Sequence, residues 1–176
     1  ANGANYKVAP ETLWELGCEI IVIENNPNGL NINHNCGSIH PQGLCKKVIE
    51  ENADIGISFD GDGDRLIISD EKGNIIDGDK IIALLVKKYS KKNKLRNNKV
   101  VTTLMSNIGF ENYINSLGLE LIRTDVGDRN VINKMLEINS NIGGEQSGHI
   151  ILSDYSKTGD GLLSAVQVLD ILTSNG

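Results

Sequence analysis

The chain has 176 residues and a mass of 19.1 kDa, room for one ordinary domain or two small ones at roughly 100 to 200 residues each, and enough to bury a real core. With 39% hydrophobic and 23% charged residues and no apolar run near the roughly 18 that a membrane helix needs, it reads as a soluble folded chain with no membrane partner. Seventeen Lys and Arg against 23 Asp and Glu leave a net charge of −6, which argues against nucleic acid as a partner, because a duplex-binding face must be basic to displace counterions. Glycine is in excess at 19 residues against three prolines, so many positions require positive φ or close backbone approach. Cys18, Cys36 and Cys45 are an odd count without CxxC spacing, which excludes a complete disulfide set and a thiolate zinc site and fits a reducing, cytoplasmic location. The opening Ala1-Asn2-Gly3-Ala4-Asn5 reads like the exit from a strand that is not present, as in an internal segment of a longer protein.

In chain order, Pro10 suits a first helical turn, Leu13, Trp14 and Leu16 supply an apolar face, and Gly17 ends the helix. A strand is expected at 18–23. The Asn-rich stretch from Glu24 to His40, with Pro27, Gly29 and Gly37, has no period and reads as a long functional loop. Pro41 opens a helix with Leu44, Cys45, Val48 and Ile49 on one face, and Ile55 to Phe59 is a short buried strand. After the interruption from Asp60 to Arg65, Leu66 to Ser69 and Asn74 to Ile76 form a hairpin. The cycle restarts with Asp79 as the expected N-cap of a helix through Ile81, Leu84, Leu85 and Tyr89. Strands at 100–104, 119–123, 141–143 and 149–152 then alternate with helices at 107–117 and 130–138. A last helix from Asp160 is expected to bury Leu162, Ala165, Val166, Leu169 and Leu172. This alternation predicts an α/β fold, two consecutive three-layer α/β/α domains with mixed, mostly parallel sheets, spanning 1–78 and 79–176.

The most informative stretch is Asp60-Gly61-Asp62-Gly63-Asp64-Arg65, three carboxylates at alternate positions directly after a buried strand. Like charges held together repel, and a divalent cation is the simple remedy. The intervening glycines let the backbone curl around an ion, and hard oxygen ligands suit Mg²⁺ or Ca²⁺ rather than zinc. The bland alternative is a solvated acidic turn. An EF-hand places Glu at position 12, as Glu71 is, but it requires Gly where Arg65 stands and helices where β-branched runs flank the loop. Three Asp with open remaining positions instead match a catalytic Mg²⁺ site completed by water and a phosphate. Arg65 is a candidate phosphoryl clamp, or else a structural partner of one of these carboxylates.

A second loop, Gly143-Gly144-Glu145-Gln146-Ser147-Gly148-His149, is polar and framed by glycine. In extended chain Glu145 and Ser147 would face the same side, suiting the vicinal hydroxyls of a sugar, although a polar turn explains them equally. A lone His149 opening an apolar strand is more often structural than catalytic.

Taken together, DGDGDR at 60–65, GEQSGH at 144–149, TDVGDR at 124–129 and NINHNCGSIHP at 31–41 resemble the α-D-phosphohexomutases. ANGANYKVAP at the start, MSN at 105–107 and KTGDGLLSA at 157–165 point within that family to the branch acting on glucosamine phosphates, and the resemblance runs over essentially the whole chain. It implies an enzyme of four domains, of which this chain matches the second and third. That enzyme would isomerise 6-phospho and 1-phospho sugars by way of a phosphoserine and a bisphosphate. Matched motif to motif, Asp60, Asp62 and Asp64 take the role of Mg²⁺ ligands completed by the phosphoserine, with Arg65 beside the same phosphate. Glu145 and Ser147 match sugar-hydroxyl contacts, Gly127 and Asp128 the loop facing the sugar, and His149 a proton carrier near the transferring phosphoryl. Asn130 and Gln42 depart from the pattern, which would have an aromatic and an acid there. The family's phosphoserine loop and its C-terminal phosphate grip have no counterpart in the sequence, so the chain's expected partners are a phosphosugar and the first and fourth domains of the same enzyme. Mannose or glucose phosphates are the alternative substrates, and a non-catalytic metal or carbohydrate-binding module is the alternative of another class.

Overall fold

A computed structural model describes residues 1–174. The first helix, α1 (Val8–Glu15), carries Pro10 in its first turn, and α2 (Gln42–Glu51) starts after Pro41, where a fixed φ near the helical value costs nothing. Three strands follow, β1 (Ile55–Phe59), β2 (Leu66–Asp70) and β3 (Ile75–Ile76), in the order β1-β2-β3. Both pairs are antiparallel, with Phe59 opposite Leu66 and Ile68 opposite Ile76. The parallel character expected of both halves is therefore confined to the second. The connections at Asp60–Arg65 and Glu71–Asn74 are tight hairpin loops, whereas a parallel pair needs a crossover of a dozen or more residues.

The second half opens with α3 (Gly78–Lys91), capped by Asp77, whose Oδ1 accepts from Lys80 N at 3.2 Å. The expected cap, Asp79, lies instead inside the first turn and is buried. Strands β4 (Lys99–Thr103), β5 (Glu120–Thr124), β6 (Ile142–Gly144) and β7 (Ile150–Leu152) alternate with α4 (Ile108–Ser116) and α5 (Asp128–Glu137). The sheet order is β5-β4-β6-β7, parallel across β5-β4-β6 and antiparallel at β7. Because successive side chains alternate faces, Val100 joins one apolar cluster with Ile114 of α4 and Leu85 of α3, while Val101 joins another with Val131 and Met135 of α5. That is a sheet with helices on both faces.

The last helix, α6 (Gly161–Ser174), joins the two halves by packing against β1, β2, α3 and β7. Its buried stripe is Gly161, Ser164, Ala165, Val168 and Ile171, rotated from the one expected, and Leu172 is 50% exposed. Small residues lead that face because Gly161 touches backbone: a Cβ there would stand 2.6 Å from the Arg65 carbonyl oxygen.

A second departure is the segment 18–23, which forms no strand. Its apolar residues were the reason to expect one, yet a strand exists only with a hydrogen-bonded neighbour. Among the described residues none lies beside it: a cleft of about 420 Å³ separates it from β1, lined by Ile21, Ile23, Leu44, Val48, Ile55 and Ile57 among others. Helix α1 likewise leaves its expected apolar face largely open, with Trp14 73% exposed, and on α2 Ile49 is exposed while Val48 is buried.

Candidate functional site

The Asp60–Arg65 loop is the turn between antiparallel β1 and β2, and the surrounding chain holds it by its backbone. Ala4 N donates to the Gly61 carbonyl at 2.7 Å, Asn5 Nδ2 to the Gly63 carbonyl at 3.4 Å, and Gly161 N to the same carbonyl at 3.0 Å. Gly63 needs its φ of +82°, and a Cβ on Gly61 would strike Ile32 at 2.6 Å, so glycine at both positions follows from turn shape and close approach.

With the backbone so fixed, Asp60, Asp62 and Asp64 each present an oxygen within 4.8 Å of the others. Oxygens at about 2.1 Å from a shared Mg²⁺ stand about 3 Å apart when adjacent and about 4.2 Å apart when opposite, so a modest closing of the three carboxylates would bring them into one shell, and a smaller one would serve Ca²⁺ with its longer bonds. Asp60 is buried; burial first, then the adjoining Asp64, pushes its carboxyl above the usual carboxylate range, partly opposed by the Arg65 N–H that donates to it at 3.1 Å. Asp64 Oδ1 is buried with no hydrogen-bond partner. A cluster of carboxylates with an unpaired buried oxygen is what a hard cation satisfies, so these residues fit the group their pattern implies. Arg65 Nε stands 3.7 Å from Asp60 Oδ2, while the side chain is 40% exposed.

The second loop follows β6 and differs from its expected shape. Gly148 N donates to the Glu145 carbonyl at 3.0 Å, closing a tight turn over 145–148, so Glu145 and Ser147 are not neighbours on one side of an extended chain. The flanking glycines cause this: Gly148 has a φ of +95° and Gly144 one of +159°. Ser147 sits exposed at the turn, and the Glu145 carboxylate accepts from Gly127 N at 3.2 Å. Gly127, at φ 123°, precedes α5, and Asp128 is that helix's exposed first residue. Glu145 thereby ties the loop after β6 to the loop after β5. These loops lie at the carboxyl ends of parallel strands, where open α/β sheets bind ligands.

The two loops meet. Arg65 and His149 form an isolated antiparallel bridge, Leu66 N donates to the Gly148 carbonyl at 3.0 Å, and His149 Nε2 lies 3.4 Å from Asp64 Oδ2. His149 is 3% exposed, and a Cβ on Gly159 would fall 2.3 Å from its Nε2. The structure thus gathers Asp60, Asp62, Asp64, Arg65 and His149 at one junction and Glu145, Gly127 and Asp128 beside each other. The bracing role of Ala4, Asn5, Gly159 and Gly161 was not legible in the sequence, although all four lie in the ANGANYKVAP and KTGDGLLSA stretches that carry the resemblance.

The family model described as phosphoglucomutase/phosphomannomutase alpha/beta/alpha domain II matches residues 1–73, and that for alpha/beta/alpha domain III matches residues 77–176. A protein named phosphoglucosamine mutase from Parvibaculum lavamentivorans is 55% identical over 172 residues, covering 98% of this chain and 38% of that protein. One of the same name from Rhizobium rhizogenes is 55% identical over all 176 residues, 39% of its length. A crystal structure of a phosphoglucomutase/phosphomannomutase family protein from Burkholderia thailandensis superimposes with a TM-score of 0.87 at 28% identity, covering 97% of this chain and 38% of that one. The chain spans about two fifths of the length of the curated relatives it matches. It belongs to the phosphoglucomutase/phosphomannomutase family and matches that family's second and third α/β/α domains.

Proposed function

We propose that the full-length protein is a Mg²⁺-dependent phosphosugar mutase that interconverts glucosamine 6-phosphate and glucosamine 1-phosphate through a phosphoserine and a hexose bisphosphate. The observation that carries this reading is the junction itself, where the Asp64 carboxylate of the cation loop touches His149 at the end of the glycine-framed loop, 3.4 Å apart. Phosphoryl transfer is mainly positioning and charge neutralisation, so a cation loop joined to a sugar-gripping loop is the apparatus it calls for.

Asp60, Asp62 and Asp64 would hold the Mg²⁺, which when bound would supply positive charge to neutralise a transferring phosphoryl group. Arg65 keeps Nε toward Asp60, which leaves the outer guanidinium nitrogens to clamp a phosphoryl oxygen. Glu145 and Ser147 grip sugar hydroxyls from different positions on the 145–148 turn, with Gly127 and Asp128 beside Glu145. His149, 3.4 Å from Asp64 Oδ2, positions that carboxylate and is the proton carrier beside the transferring phosphoryl. The phosphoserine and the grip for the distal phosphate belong to domains outside residues 1–176, so this chain alone turns over nothing. Relatives named phosphoglucosamine mutase at 55% identity favour glucosamine over mannose or glucose phosphates. The accompanying proposal is a cytoplasmic role supplying cell-wall precursors.

Steady-state kinetics of the full-length protein with Mg²⁺ on glucosamine, mannose and glucose 6-phosphates test this. A kcat/KM at least about tenfold higher on the glucosamine phosphate is expected, a difference of about 1.4 kcal/mol in transition-state binding. Equal or better turnover of the mannose or glucose phosphate moves the protein to the phosphomannomutase or phosphoglucomutase reading. No turnover of any of the three removes the mutase reading.

A further inference from the structure

The turn Asp77-Gly78-Asp79 opens α3 and belongs to neither loop of the site, yet it contacts the neighbouring loops from three consecutive residues. Gly78 N donates to the Gln146 carbonyl at 3.0 Å. A Cβ on Gly78 would stand 2.2 Å from the Glu145 carbonyl oxygen, 2.8 Å from that of Gln146 and 2.8 Å from Gly148 N, so the whole 145–148 turn is seated on this one residue. Asp77 Oδ2 lies 3.4 Å from Gln146 Nε2. Asp79, 1% exposed, accepts from Ser106 Oγ at 2.7 Å and from Asn107 N and Nδ2, both at 2.8 Å, which fixes the loop after β4. Glu145 in turn accepts from Gly127 N in the loop after β5. The start of α3 therefore joins the loops from the carboxyl ends of all three parallel strands.

We infer that Asp77-Gly78-Asp79 is the positioning element of the sugar-binding loop, with Gly78 the residue that sets where Glu145 and Ser147 stand. This rests on the proposed sugar-phosphate reading of that loop. Gly78 is not glycine for its own backbone, since its φ is not in the positive range and a side chain would suit a first helical turn. The close approach alone requires it. Ordinary contact begins near 3.4 Å, so alanine would displace the Glu145 carbonyl by roughly 1 Å, a misplacement large enough to weaken a positioned ligand. The cation loop is braced separately from Ala4, Asn5 and Gly161, and it meets the 145–149 loop at Gly148 and His149 rather than at Gly78.

The test uses the full-length protein, with glucosamine 6-phosphate as the sugar probe and Mg²⁺ binding followed separately by calorimetry. For Gly78→Ala we expect KM for the sugar phosphate to rise about tenfold or more while Mg²⁺ affinity stays within about twofold of wild type. Asp77→Ser, which keeps the helix cap but is too short to reach Gln146, should raise KM about two- to threefold with unchanged melting temperature. If Gly78→Ala proves unfolded, the Asp77→Ser result decides. Wild-type KM in a folded Gly78→Ala, or equal losses of sugar and Mg²⁺ affinity, overturns the inference while leaving the mutase reading intact. A wild-type protein that neither binds nor turns over the sugar phosphate overturns that reading and the inference with it.

Discussion

Replacing Asp64 by Asn removes one charge, hardly changes volume, and should move stability in opposite directions with and without Mg²⁺. The three carboxylates offer oxygens within 4.8 Å of one another, so each of the two pairs involving Asp64 repels by about 0.9 kcal/mol even at the dielectric constant of water. Removing both relieves about 1.7 kcal/mol in the cation-free protein. At about 2–4 °C per kcal/mol for a chain of this size, Tm in EDTA should rise by about 3–7 °C. With Mg²⁺ at a hundred times its Kd, the wild type gains about 2.7 kcal/mol; a variant binding tenfold more weakly gains about 1.4 kcal/mol at the same concentration. The Mg²⁺-dependent increment is therefore about halved while the baseline rises. Thermal unfolding followed by circular dichroism at low ionic strength, in EDTA and in MgCl₂, reads both numbers. An Asp64→Asn protein that is less stable in EDTA, or that keeps the full Mg²⁺ increment, would refute the reasoning.

Gly161→Ala should lower Mg²⁺ affinity by roughly tenfold, since a Cβ there falls 2.6 Å from the Arg65 carbonyl and 2.9 Å from that of Gly63, displacing the cation loop. Free of that contact, the change would stabilise α6 by about 1 kcal/mol, so a higher Tm with unchanged calorimetric Mg²⁺ affinity contradicts the packing argument. The Asp70 carboxyl is held below its usual range by hydrogen bonds from the Asn74 side chain and backbone. A carboxyl with a depressed folded pKa contributes stability above its unfolded value, near 3.8, and that contribution is lost as pH falls through the lower folded value. Amide exchange in the Glu71–Asn74 turn should accelerate below about pH 4 relative to an Asp70→Asn variant; identical acid profiles would remove the assignment.

The parts legible in the sequence are those governed by local chemistry. Asp60, Asp62 and Asp64 could be read as one cluster because their spacing and glycines are confined to five residues, and Ile55 to Phe59 as a strand because Ile55, Ile57 and Phe59 alternate, although the structure leaves those three half-buried along the cleft instead of buried on both faces. What was not legible depends on distant partners. The segment 18–23 has strand composition but no pairing neighbour among the described residues. The buried stripe of α6 is rotated because Gly161 must approach the Asp60–Arg65 loop, a demand that helical periodicity cannot express. Asp77 and Asp79 are equally good caps by composition, and only the buried hydrogen bonds of Asp79 to Ser106 and Asn107 decide between them. The turn at 145–148 hides the separation of Glu145 from Ser147 for the same reason: the positive φ of Gly148 is set by its contact with Leu66 in the other half of the chain.

The central claim is that the carboxylate loop supplies the cation for sugar-phosphate isomerisation. Phosphorus NMR of the full-length protein with glucosamine 6-phosphate and a trace of its 1,6-bisphosphate, recorded in Mg²⁺ and in EDTA, tests it most directly when wild type and Asp62→Ala are run side by side. A growing glucosamine 1-phosphate resonance is expected for wild type in Mg²⁺ only, and none for folded Asp62→Ala in either condition. Conversion that persists in EDTA, or in Asp62→Ala at the wild-type rate, would contradict it.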